Sequence, residues 1–317
     1  MHCRRDNSPV RLCELASQGL ASSRKATNVL VMTEIDERTE RVKEVGRKSG
    51  GLVVGVAAVE AFNNYVPEGH RPQDLLPGAR SVVVAGAKGP TDAAWKSPNH
   101  RLMEVAGYDF RENVAVHVMA DFIEREYGYY AIQGAALPTA GHHPPMSMML
   151  AAVLSGVGTR SIAANIILNP KYGLLYYSAL ITTMPMRCDH RMEKDVCPHP
   201  MCVVSYRKLG KTPCMAACPV EDDGCLDATI DENGRIASSY YDRERCASRS
   251  MNFGIPSFQK ALVQIVTEDD SKKRQAMIYS DFFTRSTASL GFYKESVAQC
   301  FECMRVCPVG REERRLK

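Results

Sequence analysis

The end of the chain reads Cys300-Phe-Glu-Cys303-Met-Arg-Val-Cys307-Pro308. A second run, Cys214-Met-Ala-Ala-Cys218-Pro219, stands upstream, with Cys246 alone between them. Spacings this short bring three thiolates onto one tight loop, and the cysteine before each proline crosses to the neighbouring site. Two runs ending Cys-x3-Cys-Pro are how a ferredoxin-like module wraps a pair of iron–sulfur clusters. The pattern predicts an electron-transfer protein or a reductase, and no other feature constrains the chain as tightly.

Four thiolates hold each 4Fe–4S cluster, and Cys214, Cys218, Cys246, Cys300, Cys303 and Cys307 supply six of the set. In the usual Cys-x2-Cys-x2-Cys-x3-Cys-Pro run the first two positions are cysteines; here they are Lys208 and Lys211. Cys197 and Cys202 replace them in the preferred partition, from a loop ending at Gly210-Lys-Thr-Pro213, with Cys188 and Cys225 as alternates. One cluster then takes Cys197, Cys202, Cys214 and Cys307. The other takes Cys218, Cys246, Cys300 and Cys303. Two competing readings stay open: a zinc site, because zinc also uses Cys-x2-Cys pairs, and one intact cluster beside a degenerate lobe. His190 and His199, next to cysteines, are either further ligands or solvated loop residues.

Ten of the twelve cysteines lie between Cys188 and Cys307, so they are concentrated rather than spread as a disulfide framework. No apolar core of signal-peptide length opens the chain, and no run reaches the length of a spanning helix. The expectation is therefore reduced ligands in a cytoplasmic protein. A formal charge of +4 argues neither for nucleic acid nor against an acidic redox partner.

Residues 1–31 are polar and aperiodic and read as a flexible leader, or as sequence upstream of a start at Met32. Residues 34–49 carry charge pairs at helical spacing. Leu52–Val59 and Ser81–Ala87 read as strands. Residues 112–127 read as a helix with a stripe through Val114, Val118, Met119 and Phe122, ending at Gly128. Tyr129–Leu137 and Leu174–Thr183 read as strands, and Met146–Leu154 as a helix. The fold class is α+β: a leader and helix over 1–45, an α+β domain over 46–187, and a cluster-bearing domain over 188–317. Gly86-Ala-Lys88-Gly89 and Gly156-Val-Gly158 lack the spacing of phosphate-binding loops and are read as turns.

Several blocks, taken in order, resemble one family. They are Leu76-Pro-Gly-Ala-Arg-Ser-Val82, Ala151-Ala-Val-Leu-Ser-Gly-Val-Gly158, Asn169-Pro-Lys-Tyr-Gly173, Ser178-Ala-Leu-Ile-Thr-Thr-Met-Pro-Met186, Asp242-Arg-Glu-Arg-Cys246, and the run from Cys300 to Pro308. They are similar to blocks of the epoxyqueuosine reductases and their relatives, the reductive dehalogenases. The resemblance implies a nitroreductase-like domain binding a corrinoid (cobalamin), packed on a ferredoxin-like double-cluster domain. Electrons would come from an external donor of ferredoxin or flavodoxin type, with a protein acid delivering a proton.

In the epoxyqueuosine reductases an aspartate before the Gly-x-Gly turn is that acid. The matching position here is His142, beside His143, in Gly141-His-His-Pro-Pro145. A histidine titrates near neutrality and can do acid work; the alternative is an exposed turn. Gly156, Gly158, Arg160 and Tyr172 are the candidate cofactor-binding residues. The tryptophan usual after the final Cys-Pro is Val309, and the expectation is a relative without the helical-repeat extension of the tRNA enzymes. The expectation is a compact relative that reduces a small organic substrate. The alternatives are a corrinoid-free electron carrier and a reductive activator of a corrinoid protein.

Overall fold

A computed structural model describes residues 33–88, 92–96, 111–134, 146–163, 166–220, 224–242, 245–246, 254–288 and 302–314. The leader read over 1–31, His142, His143 and Cys300 lie outside these residues.

The first helix, α1, covers residues 33–48. Its charge pairs form as the spacing predicts, Arg38 with Glu34 and Lys48 with Glu44. Such exposed pairs contribute little; the buried Val42 does more to dock the helix. Strand β1 (Val53–Ala58) leads through the short α2 (Pro72–Leu75) to β2 (Ser81–Ala87). After α3 (Asp92–Lys96) and α4 (Arg111–Tyr127) come β3 (Ala131–Gly134) and α5 (Met148–Leu154). Ser147 caps α5, its hydroxyl accepting from Leu150 N at 3.2 Å. Strands β4 (Thr159–Arg160), β5 (Ile167–Asn169), β6 (Gly173–Leu174) and β7 (Tyr176–Thr182) complete this half.

Strands β1, β2, β7 and β3 lie side by side in that order, all antiparallel. Both faces are covered. Val82 and Val84 of β2, with Ala179 and Ile181 of β7, pack towards α5 through Ala151, Ala152 and Val153. The alternate residues, Val83, Ala85 and Leu180, pack towards α1 and α4 through Val42, Ala115, Val116, Met119 and Ile123. A central strand with both faces covered has no polar side to present, so every residue of β2 is buried and, after Ser81, its sequence reads as an unbroken apolar run.

The helix over 112–127 forms where its periodicity predicts, and of the stripe read from the sequence Met119 is buried and Phe122 packs on the core. Val114 and Val118 are exposed; the contact runs through Glu112, Ala115, Val116, Met119 and Ile123. The apolar arc of α4 is wider than the contact, and close approach to the sheet is made by the stripe containing the small Ala115. The strand read over Leu174–Thr183 is two elements, β6 and β7.

The cysteine-rich half begins with α6 (Pro200–Leu209) and α7 (Pro213–Ala216), then the hairpin β8 (Leu226–Ile230) and β9 (Ile236–Tyr241). Cys202 thus sits on a helix and not in a loop: Pro200 at its first turn suits a helix start, and Gly210, at φ +68°, closes it in the left-handed region. Helices α8 (Gly254–Thr267), α9 (Ser271–Ile278) and α10 (Asp281–Ala288) follow, then α11 (Glu302–Arg305) packed on α7.

The core of this half is shared with the first. Ile162, Ala163, Leu168 and Leu174, from around β4–β6, pack with Cys214, Met215, Cys225, Leu226, Met304 and Val309. Among the described residues no helix is long and apolar enough to cross a membrane.

Candidate metal centre

The cysteines fall into two adjoining groups, Cys214 of one lying close enough to Cys218 of the other to feel its charge. Cys197, Cys202, Cys214 and Cys307 come from four separate segments, and Cys197 lies close enough to the other three to feel their charge. Burial above all pushes the Cys197 thiol up to about 12, the three neighbouring thiols adding to it against a backbone hydrogen bond at Ile162. Cys202 is pushed up to about 12 in the same way, first by burial and then by Cys214 and Cys307. Thiols raised this far resist ionising alone, and a soft metal that takes the thiolate charge removes that cost. Cys214 sits at the N-terminal turn of α7, where the hydroxyl of the buried Thr212 lies 3.1 Å from its sulfur. Thr159 accepts from Val196 N at 2.9 Å, tying the chain before Cys197 to β4.

The second group is Cys218, Cys225 and Cys246. The sulfurs of Cys218 and Cys225 are 3.4 Å apart, and Cys225 N donates to the Cys218 sulfur at 3.3 Å. Burial, then the thiols of Cys218 and Cys246, hold the Cys225 thiol far above its ordinary value. Cys303, on α11, packs into the same core. Sequence spacing alone ranks Cys225 only as an alternate. The signal for it is Gly224, whose φ of +81° turns the chain back onto Cys218.

Cys188, the other alternate, belongs to neither group. It packs against the sheet core beside Met186, with Glu60, Asp189 and Lys43 as its charged neighbours. Lys208 and Lys211 are exposed, so no ammonium replaces the missing cysteines inside. His199 caps α6, its Nδ1 accepting from Met201 N at 3.2 Å, and His190 is exposed. No group of three His, Cys, Asp or Glu among the described residues is arranged for a single metal ion.

The residues read as cofactor-binding lie at the end of α5, around β4 and in the turn before β6. A Cβ on Gly156 (φ +70°) would lie 2.2 Å from the backbone oxygen of His190. One on Gly158 would lie 2.8 Å from that of Leu168. The chain itself fills the space at both glycines. Arg160 is exposed at the end of β4, and Tyr172 lies under Lys171, whose Nζ is 5.0 Å from the ring centre. The Asn169–Gly173 turn has a structural role. Asn169 Oδ1 accepts from Lys171 N and Tyr172 N at 3.0 and 3.1 Å, and its amide donates to Val157 O at 2.8 Å. The same turn meets the loop after Cys307, where a Cβ on Gly310 would lie 2.3 Å from Gly173 N.

No protein-family model matches the chain, and no curated protein does. Among the solved structures that match are reductases of the two kinds that the sequence blocks resemble. One is the epoxyqueuosine reductase of Bacillus subtilis, at 15% identity and a TM-score of 0.48, over 87% of this chain and 66% of that one. The epoxyqueuosine reductase of Streptococcus thermophilus matches at 13% identity and 0.47, over 86% and 65%. The catabolic reductive dehalogenase NpRdhA, in complex with 3-bromo-4-hydroxybenzoic acid, matches at 18% and 0.49, over 81% and 35%. The chain thus spans just under two thirds of the first two and about a third of the last.

Proposed function

We propose that the chain is an oxidoreductase that uses two 4Fe–4S clusters and a corrinoid to reduce a small organic substrate, with electrons from an external donor of ferredoxin or flavodoxin type. The observation that carries the iron–sulfur part is the meeting of Cys197, Cys202, Cys214 and Cys307, four thiols from four segments, two of them buried and two half-buried. These residues would hold the first cluster. Cys218, Cys246 and Cys303 would hold the second, with Cys300 as the remaining thiolate. Cys214 of the first group lies near Cys218 of the second, which favours relay between the clusters over two independent structural sites. The architecture in this reading is a nitroreductase-like domain followed by a ferredoxin-like one.

Support for the corrinoid comes from the order of the sequence blocks. A bound corrinoid would supply low-valent cobalt chemistry, while the protein orients the substrate, excludes water and delivers a proton from His142 or His143. The filled space at Gly156 and Gly158 favours a second reading, a corrinoid-free electron carrier.

One experiment separates the two. The full chain is reconstituted anaerobically with iron, sulfide and hydroxocobalamin, desalted, and assayed for metals. About eight irons with one cobalt per chain support the reductase. About eight irons without cobalt mean an electron carrier, and about four mean that one lobe is dead.

A further inference from the structure

The second cysteine group contains a thiol outside the ligand set proposed above, Cys225, and that thiol is already in contact with the proposed ligand Cys218. We propose that Cys218 and Cys225 form a reversible disulfide in the cluster-free chain, an oxidation site that withdraws Cys218 from cluster assembly. The withdrawal of a ligand rests on the cluster reading above; the disulfide itself does not.

Three features place the pair. Their sulfurs are 3.4 Å apart, so reaching the S–S bond length of about 2.05 Å takes little more than an ångström of side-chain rotation. The backbone amide of Cys225 already donates to the Cys218 sulfur at 3.3 Å, which holds the two residues in register. Gly224 makes the approach possible: a Cβ there would lie 3.0 Å from Cys218 Cβ and 3.2 Å from its sulfur, and its φ of +81° suits glycine alone.

The exposures set the order of events. Cys218 is half-buried and Cys225 is 6% exposed, so an oxidant in solution meets Cys218 first. The oxidant is a low-molecular-weight disulfide such as glutathione disulfide. The Cys218 thiolate attacks one of its sulfurs, the glutathione S–S bond breaks, and one glutathione leaves as thiolate and takes up the proton that Cys218 lost. Cys225 then attacks the Cys218 sulfur, and the second glutathione leaves with the proton from Cys225. Two protein thiols are oxidised and one glutathione disulfide is reduced to two thiols. Cys246, beside Cys225, stays a thiol.

The test uses the full chain, stripped of metal with a chelator, reduced and desalted. It is treated anaerobically with glutathione disulfide, its free thiols are alkylated, and it is cleaved after Glu221, which separates the two cysteines. The expected product is a Cys218–Cys225 cross-linked peptide pair that dithiothreitol releases, with Cys214 and Cys246 alkylated. In Cys225→Ser the expected product is Cys218 carrying one glutathione. Alkylation of both Cys218 and Cys225 in the wild type, or a cross-link from Cys218 to Cys214 or Cys246, overturns the proposal.

Iron uptake is measured on portions of the oxidised protein set aside before alkylation and cleavage. The wild type should regain about half the iron that Cys225→Ser regains after glutathione is removed from the latter by brief reduction, and dithiothreitol should restore the rest. If the cross-link forms but iron uptake does not change, the disulfide stands and the ligand role of Cys218 falls.

Discussion

Asp189 stands where the chain leaves the sheet for the cysteine-rich half, and its carboxylate ties three elements together. Oδ1 accepts from the Lys43 ammonium of α1 at 2.7 Å, and Oδ2 accepts from Val56 N of β1 at 2.7 Å. Its own amide donates to Val56 O at 2.8 Å. The Lys43 side chain is only 7% exposed, and its other carboxylate partner, Glu40, is 3.7 Å away on the exposed side of α1. Asp189→Ala therefore removes two charge-assisted hydrogen bonds and leaves a buried ammonium poorly paired. Breaking a buried pair this way costs about 3–5 kcal/mol. The Asp189 side chain is 32% exposed, so water reaches part of the gap, and the low end, about 3 kcal/mol, is expected.

Adding Lys43→Met removes the stranded charge, so the double variant should be less destabilised than Asp189→Ala alone. The assay is urea unfolding of the cluster-free chain followed by far-ultraviolet circular dichroism, with the four forms of the cycle compared. A loss below about 0.5 kcal/mol in Asp189→Ala, the size of an ordinary surface substitution, would refute the argument. So would a double variant that is no better than the single one.

Three further outcomes are expected. Gly156→Ala should lower stability by about 2–3 kcal/mol, from a left-handed backbone combined with a steric clash; a thermal midpoint equal to wild type would show that His190 moves aside freely. Cys214→Ser should reduce reconstituted iron from about eight to about four per chain, whereas Cys188→Ser should leave it unchanged; equal losses in both would remove the distinction between them. Thr212→Val deletes a hydroxyl 3.1 Å from the Cys214 sulfur, and a lost hydrogen bond to a ligand sulfur lowers a cluster's potential. An electron-paramagnetic-resonance redox titration should show one potential shifted negative at unchanged iron content, and two unmoved potentials would count against that role.

Local patterns were legible wherever one element's residues suffice to define it. The runs at 53–58 and 81–87 are apolar and β-branched, and they are strands. The charge spacing of α1 and the breaks at Gly128 and Gly156 are local too, and they hold. The spacing of Cys214, Cys218, Cys303 and Cys307 pointed to clusters because a short loop dictates which thiols can share a site.

What the sequence left open depends on neighbours far along the chain. Which face of α4 is buried was decided by the sheet it meets, and Val114 and Val118 ended in solvent. The glycines at 156 and 158 resemble a cofactor turn in sequence, yet His190 and Leu168 occupy the space beside them. Cys188 and Cys225 looked equivalent as spare thiols. Only packing told them apart: one lies against the sheet core, and a glycine turn folds the other onto Cys218. Spacing determines what a loop can hold, whereas long-range packing decides which side chains meet.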